Sequence, residues 1–115
     1  GYTVLCGKNN HQNDLLTCKT AEKNDYWFHT KNAPGSHVIL QSDGATVPDA
    51  DLQQAAVIAA TYSSLSHSPK AEVDYTLARY VKKPSGAKPG FVIYTHQQTA
   101  YVSPDPKLCD RLRKA

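Results

Sequence analysis

Two histidines, a serine and a lysine crowd one short stretch of this chain. Residues 25–40 read Asp-Tyr-Trp-Phe-His-Thr-Lys-Asn-Ala-Pro-Gly-Ser-His-Val-Ile-Leu. Two imidazoles and a carboxylate can hold zinc or iron, and His29, His37 and Asp25 would supply them. Their spacing fits no standard ligand motif, and a polar layer across paired strands uses the same residue types. No metal and no other cofactor is therefore expected. Nucleophilic catalysis needs a serine, a base and a group that orients the base. Ser36 and His37 are neighbours, and neighbours in a strand point to opposite faces. Ser36 could meet only His29 across the hairpin. No acid is evident to orient that base, and no Gly-x-Ser-x-Gly elbow is present. The expectation is no catalytic residue and no enzyme.

Two other places could bind anions. Gly7-Lys8-Asn9-Asn10 runs from a strand end into a helix start, where free amides and the helix dipole attract negative charge. The glycine spacing is not that of a P-loop, and a capped helix start accounts for the same residues. Lys82-Lys83-Pro84-Ser85-Gly86-Ala87-Lys88-Pro89-Gly90 is the stronger lead. Lysines held in a Pro/Gly loop contact phosphates without reading base sequence. Arg79 and Lys70 add charge nearby, and Lys107, Arg111, Arg113 and Lys114 make the terminal stretch basic, against an acidic corner at Asp43, Asp49 and Asp51. Such a split predicts one basic face. Exposed tyrosines among the seven could stack on unpaired bases. A solvated lysine loop without special function is the alternative.

These groups need elements to hold them. Pro34 presets φ at one central turn position and Gly35 supplies a positive φ at the next, so 26–30 and 36–41 should be paired strands. Residues 2–6 read as a strand ending at Gly7. A short amphipathic helix should span 12–21, with Asn9 or Asn10 as N-cap and Leu15, Leu16, Cys18 and Ala21 inward. Asp43-Gly44 marks a turn. Residues 52–65 form the strongest helix, entered past Pro48 with Asp49 and Asp51 in the first turn and small alanines that let it lie close on a sheet. Residues 72–81 alternate like a half-buried strand. Residues 91–94 and 99–102 suggest a second hairpin across His96-Gln97-Gln98, and a short helix should follow with Leu108 and Leu112 inward. Hairpins dominate, which predicts an α+β single domain: a largely antiparallel mixed sheet with two to three helices packed on it.

Size and composition agree. The chain has 115 residues, 40% apolar and 20% charged, with net charge +3. That is one ordinary domain able to build its own core. Cys6, Cys18 and Cys109 are odd in number and lack C-x-x-C spacing, which argues against a disulfide framework and fits a reducing cytoplasm. No apolar run is long enough to span a bilayer, and no membrane partner is expected.

Three motifs carry a resemblance. Residues 7–14 followed by Leu16-Thr17, residues 25–31 with Pro34-Gly35-Ser36-His37-Val38, and Asp74-Tyr75-Thr76 with Val81-Lys82-Lys83-Pro84 and Gly86-Ala87-Lys88-Pro89-Gly90 resemble, in order and spacing, the NFACT-R domain of the RqcH, fibronectin-binding protein A-like and NEMF family. The resemblance covers nearly the whole chain, so residues 1–115 are expected to be one NFACT-R-like RNA-binding domain, alone or as the C-terminal piece of a larger protein. It implies a factor that binds large ribosomal subunits carrying stalled nascent chains, with rRNA or tRNA as partners; some members are described as fibronectin-binding adhesins. The residues expected at RNA are Lys82, Lys83, Lys88, Lys8, Asn9 and Lys31, with His29, Ser36 and His37 as a binding surface of unassigned role.

Overall fold

The computed structural model describes residues 3–42 and 46–112, with side chains up to Cys109. The expected start of the first strand at Tyr2, the Asp43-Gly44 turn and the charges of Arg111, Arg113 and Lys114 lie outside what it describes.

The elements run β1 (Thr3–Cys6), α1 (Asn10–Leu15), β2 (Tyr26–Thr30), β3 (Val38–Gln41), α2 (Asp49–Thr61), β4 (Ala71–Leu77), β5 (Val81–Lys82), β6 (Ile93–Tyr94), β7 (Gln98–Val102) and α3 (Pro106–Leu112). Five strands form one sheet in the order β1-β3-β2-β4-β7, and β5 pairs with β6 as a separate ribbon. Every described pairing is antiparallel, so the fold is α+β and the sheet is not mixed.

The β2–β3 hairpin sits at the centre, as its apolar runs predict. Trp27, Phe28, Val38, Ile39 and Leu40 are buried there, each at 1% exposure or less. Burial of such side chains contributes about 1.5–3 kcal/mol each. Alternation sends Phe28, Val38 and Leu40 to one face of the sheet, where Val73, Val102 and Ala55, Ala56, Ala59 and Ala60 of α2 complete the core. Small alanines let the helix axis approach the strands closely. Cys109 of α3 joins the same cluster; of the two leucines expected to face inward, Leu108 is half-buried and the side chain of Leu112 lies outside the described residues.

Register puts Trp27, Ile39, Thr76, His29, Asp74 and Thr99 on the opposite face. The β5–β6 ribbon and α1 cover it. Strand β4 is consequently buried on both sides, with Asp74 and Thr76 as enclosed as Val73, and the half-buried expectation fails because the ribbon supplies a second layer. The second hairpin also fails: β6 pairs with β5 and β7 with β4. The chain leaves the ribbon for the sheet at His96, whose φ of 60° is left-handed.

The first hairpin is right, but its turn chemistry differs. Asn32, not Gly35, takes the left-handed conformation, with φ 57°; Asn tolerates that region. Gly35 is needed for space, since a Cβ there would lie 2.8 Å from Ser63 Cβ. The strand after it begins at Val38, leaving Ser36 and His37 in the approach. Helix α1 is shorter than expected and passes into a π-helical turn at Leu16–Thr20. Its inward residue is Asn13, while Leu15 is 57% exposed.

Candidate functional site

His37 is the meeting point of three distant segments. Its ring is buried beside the edge of Trp27, with centroids 5.4 Å apart. Nε2 lies 3.1 Å from the Gly90 carbonyl and Nδ1 lies 2.7 Å from Thr17 Oγ1. A carbonyl only accepts, so Nε2 carries the proton and Nδ1 accepts from the threonine hydroxyl. The His37 amide donates to Asn13 Oδ1 at 3.0 Å, and the Asn13 amide group donates to the Gly35 carbonyl at 3.5 Å. Burial pushes the His37 pKa down to about 4, with neighbouring His29 adding repulsion. His29, stacked on Trp27 at 5.9 Å, is also lowered by burial. Both rings are neutral packing groups at neutral pH.

Asp14 ties the basic loop to α1. Its Oδ1 accepts from the Gly90 amide at 2.7 Å and from Lys83 Nζ at 3.1 Å. Those bonds, the Gly90 amide foremost, hold the Asp14 carboxyl below its ordinary range. Lys83 Nζ also donates to the carbonyls of Lys88 at 2.7 Å and Phe91 at 3.5 Å. The loop itself is two successive turns. Ala87 N donates to Pro84 O and Phe91 N to Lys88 O, each at 3.1 Å, with Gly86 (φ 76°) and Gly90 (φ 84°) third in their turns. Glycine there, with Pro89 ahead of Gly90, is the chemistry of a type II turn.

The start of α1 satisfies itself. Asn9 Oδ1 accepts from the Gln12 amide at 2.9 Å, and Gln12 Oε1 accepts from the Lys8 amide at 2.8 Å. This is close to a capping box, so Asn9 caps the helix, and the Lys8 and Gln12 amides at its start are met by the chain's own side chains. Lys8, Lys31, Lys82 and Lys88 are exposed. Lys8 follows β1 and Lys31 follows β2, which places both at the end of the sheet where the 88–91 turn docks on His37. The terminal helix packs with α2 on the other side, so the single basic face predicted from loop plus tail is not formed by the described residues.

The geometry separates the groups that the catalytic and metal readings would bring together. Ser36 lies beside Cys6, which packs against the core on the helix side of the sheet, whereas His29 lies on the Trp27 side. Asp25 is far from both histidines in register; its carboxylate accepts from the amides of Glu22 at 2.9 Å and Ser42 at 3.4 Å. Among the described residues no three His, Cys, Asp or Glu side chains cluster as a metal site, and Cys6 and Cys18 are free thiols. No helix among the described residues is long and apolar enough to cross a membrane.

Sequence reasoning misses Asn13, Asp14 and Phe91. Pro89-Gly90 was a legible turn signal, and Phe91 directly after it is 56% exposed. Asn13 and Asp14 fall inside the 7–14 motif, but nothing in it marks their partners, which lie 22 to 76 residues away.

A sequence profile of the NFACT protein RNA binding domain matches residues 1–95. The Rqc2 homolog RqcH of Bacillus subtilis (strain 168) is 48% identical over 116 positions, covering 100% of this chain and 20% of that protein. The Rqc2 homolog RqcH of Streptococcus suis (strain 05ZYH33) is 46% identical over 101 positions, covering 88% of this chain and 18% of that protein. The chain thus spans about a fifth of the length of these curated relatives. A solved structure of the C-terminal part of the fibronectin/fibrinogen-binding protein from Streptococcus suis superimposes with a TM-score of 0.90 at 40% identity, covering 96% of this chain and 44% of that one.

Proposed function

The chain belongs to the NFACT protein RNA binding domain family, and from that premise we propose that it is the RNA-binding module of a cytoplasmic ribosome-associated quality-control factor. Its partner is rRNA or tRNA on large subunits that carry stalled nascent chains. The observation that carries this is the pinned basic loop. Asp14, His37 and Lys83 hold the 88–91 turn from beneath, leaving Lys82 and Lys88 outward beside the α1 start with Lys8. Cations on a rigid loop meet phosphates at little ordering cost. Lys8, Lys82, Lys88 and Lys31 are the proposed phosphate contacts. Lys83 is proposed to shape the loop, since its ammonium is already shared by Asp14 and two carbonyls. His29 and His37 support the surface from inside, and Asn9 caps the start of α1 at its edge.

Filter binding to rRNA and tRNA fragments across a salt series tests this. Replacing Lys82 and Lys88 together should flatten the log–log slope by about 0.7–0.9 per lost phosphate contact. An unchanged slope would remove the loop from the interface.

A protein-binding, adhesin-type module is the second reading, favoured by the fibronectin/fibrinogen-binding description of the structurally similar protein. A nanomolar, salt-insensitive complex with fibronectin, together with no RNA affinity, would establish it instead.

A further inference from the structure

Phe91 and Lys88 occupy the two ends of one turn, closed by the 3.1 Å bond from Phe91 N to Lys88 O. Turn ends lie within about 7 Å of each other at Cα. The turn is fixed by Gly90 at both its amide and its carbonyl. Two residues on, Ile93 is 53% exposed, while Val92 and Tyr94 between and after are half-buried. Ile93 is the register partner of Lys82, and directly paired residues share a face. So Phe91, Ile93 and Lys82 share the outer side of the ribbon, with Lys88 at its end. From Tyr75 to Pro104 the sequence holds no carboxylate, and nearby Asp14 is engaged by Lys83. An exposed aromatic ring among unopposed cations complements a polyanion that carries flat apolar groups.

Resting on the RNA-binding reading, we propose that Phe91 is a stacking platform for an unpaired nucleobase, with Lys88 and Lys82 on the flanking phosphates. A duplex hides its base faces, so the ligand class is single-stranded RNA. Phe91 gives affinity without reading base identity, because every base has a π-face.

The test compares the whole chain with Phe91→Ala and Phe91→Trp on an unstructured oligouridylate and on a blunt RNA duplex. Phe91→Ala should weaken oligouridylate binding about tenfold and leave duplex binding and the salt slope unchanged, because no charge is removed. Phe91→Trp should retain affinity, and its emission should be quenched by oligouridylate above the constant signal of buried Trp27. Circular dichroism checks that both variants fold, as an exposed side chain allows. Equal oligouridylate affinity for wild type and Phe91→Ala, equal losses on both RNAs, or an unmoved Trp signal would overturn the platform while the RNA reading stands. A wild type that binds neither RNA removes both. Salt-insensitive fibronectin capture that depends on Phe91, with RNA binding untouched, would assign the ring to a protein partner.

Discussion

Asp14 and Lys83 meet at 3.1 Å across 69 residues of sequence, and the carboxylate oxygen that takes the ammonium also takes the Gly90 amide at 2.7 Å. One side chain therefore fixes both the start of the basic loop and its last turn. Asp14→Asn keeps the shape but removes the charge that orders two donors. It should cost about 1–2 kcal/mol in urea unfolding, a moderate figure because the pair is partly solvated. Because the folded carboxyl is held below its unfolded value, its contribution is complete above the unfolded pKa of about 4 and fades as pH falls through the folded one. The gap between wild type and Asp14→Asn should accordingly close in strong acid. A gap that persists below that range would mean the charge is not what holds the loop.

His37 makes a second pH prediction in a higher window. Its folded pKa is near 4 against an ordinary 6.5. The unfolded chain binds a proton between these values and the folded chain does not, so stability is full above 6.5 and declines as pH falls toward 4. The loss is on the order of 2–3 kcal/mol. His29, lowered in the same direction, adds to it. Chemical denaturation at pH 7 and pH 4.5 measures the difference, and His37→Gln should flatten the profile while lowering stability at pH 7. A wild-type curve that is level across that window would contradict a buried neutral imidazole.

The two loop glycines should respond unequally. Gly86 has φ 76° and nothing within 4 Å of a new Cβ, whereas a Cβ on Gly90, with φ 84°, would lie 2.8 Å from Asn10 Oδ1. Gly86→Ala should cost only the left-handed strain of about 1 kcal/mol. Gly90→Ala adds a clash and pushes the turn off His37 and Asp14, so its loss should be about twice as large. Hydrogen exchange at the Gly90 amide should accelerate in the second variant only.

Much of this architecture is readable from local pattern. The Pro34-Gly35 signal between apolar runs yields the central hairpin, and the Ala55, Ala56, Ala59 and Ala60 spacing yields α2. What fails depends on contacts distant in sequence. Leu15 looks like the inner face of α1 by periodicity, yet Asn13 faces inward because its side chain satisfies the Gly35 carbonyl and the His37 amide. The His96-Gln97-Gln98 link looks like a hairpin, but β6 has a closer partner in β5, brought back by the two glycine turns. At the candidate site the lysines are legible as charges. Which of them is free is not, because Lys83 is committed by Asp14 while Lys82 is left outward only by its register with Ile93.

Tyr94 holds the ribbon to the sheet from the side opposite the loop. Its hydroxyl donates to Asp74 Oδ2 at 2.7 Å, Thr99 Oγ1 donates to Asp74 Oδ1 at 2.8 Å, and its ring lies 4.6 Å from that of Trp27. Burial first, and then the adjacent carboxylate, raise the Tyr94 pKa, so the phenol stays protonated and donates across the physiological range. Tyr94→Phe preserves the ring contact and deletes one bond to a buried charge. It should cost about 1.5–3 kcal/mol, with Asp74 left on Thr99 alone. Because β5 and β6 rest on this anchor, exchange should rise at the Thr95 amide, which donates to the Tyr80 carbonyl, and at the Lys82 amide, while the Phe28 amide in β2 keeps its protection. A variant as stable as wild type, with unchanged ribbon exchange, would show that the β5–β6 ribbon is held by Trp27 packing and the Thr76 hydroxyl, which donates to the Thr95 carbonyl at 2.9 Å, and not through Asp74.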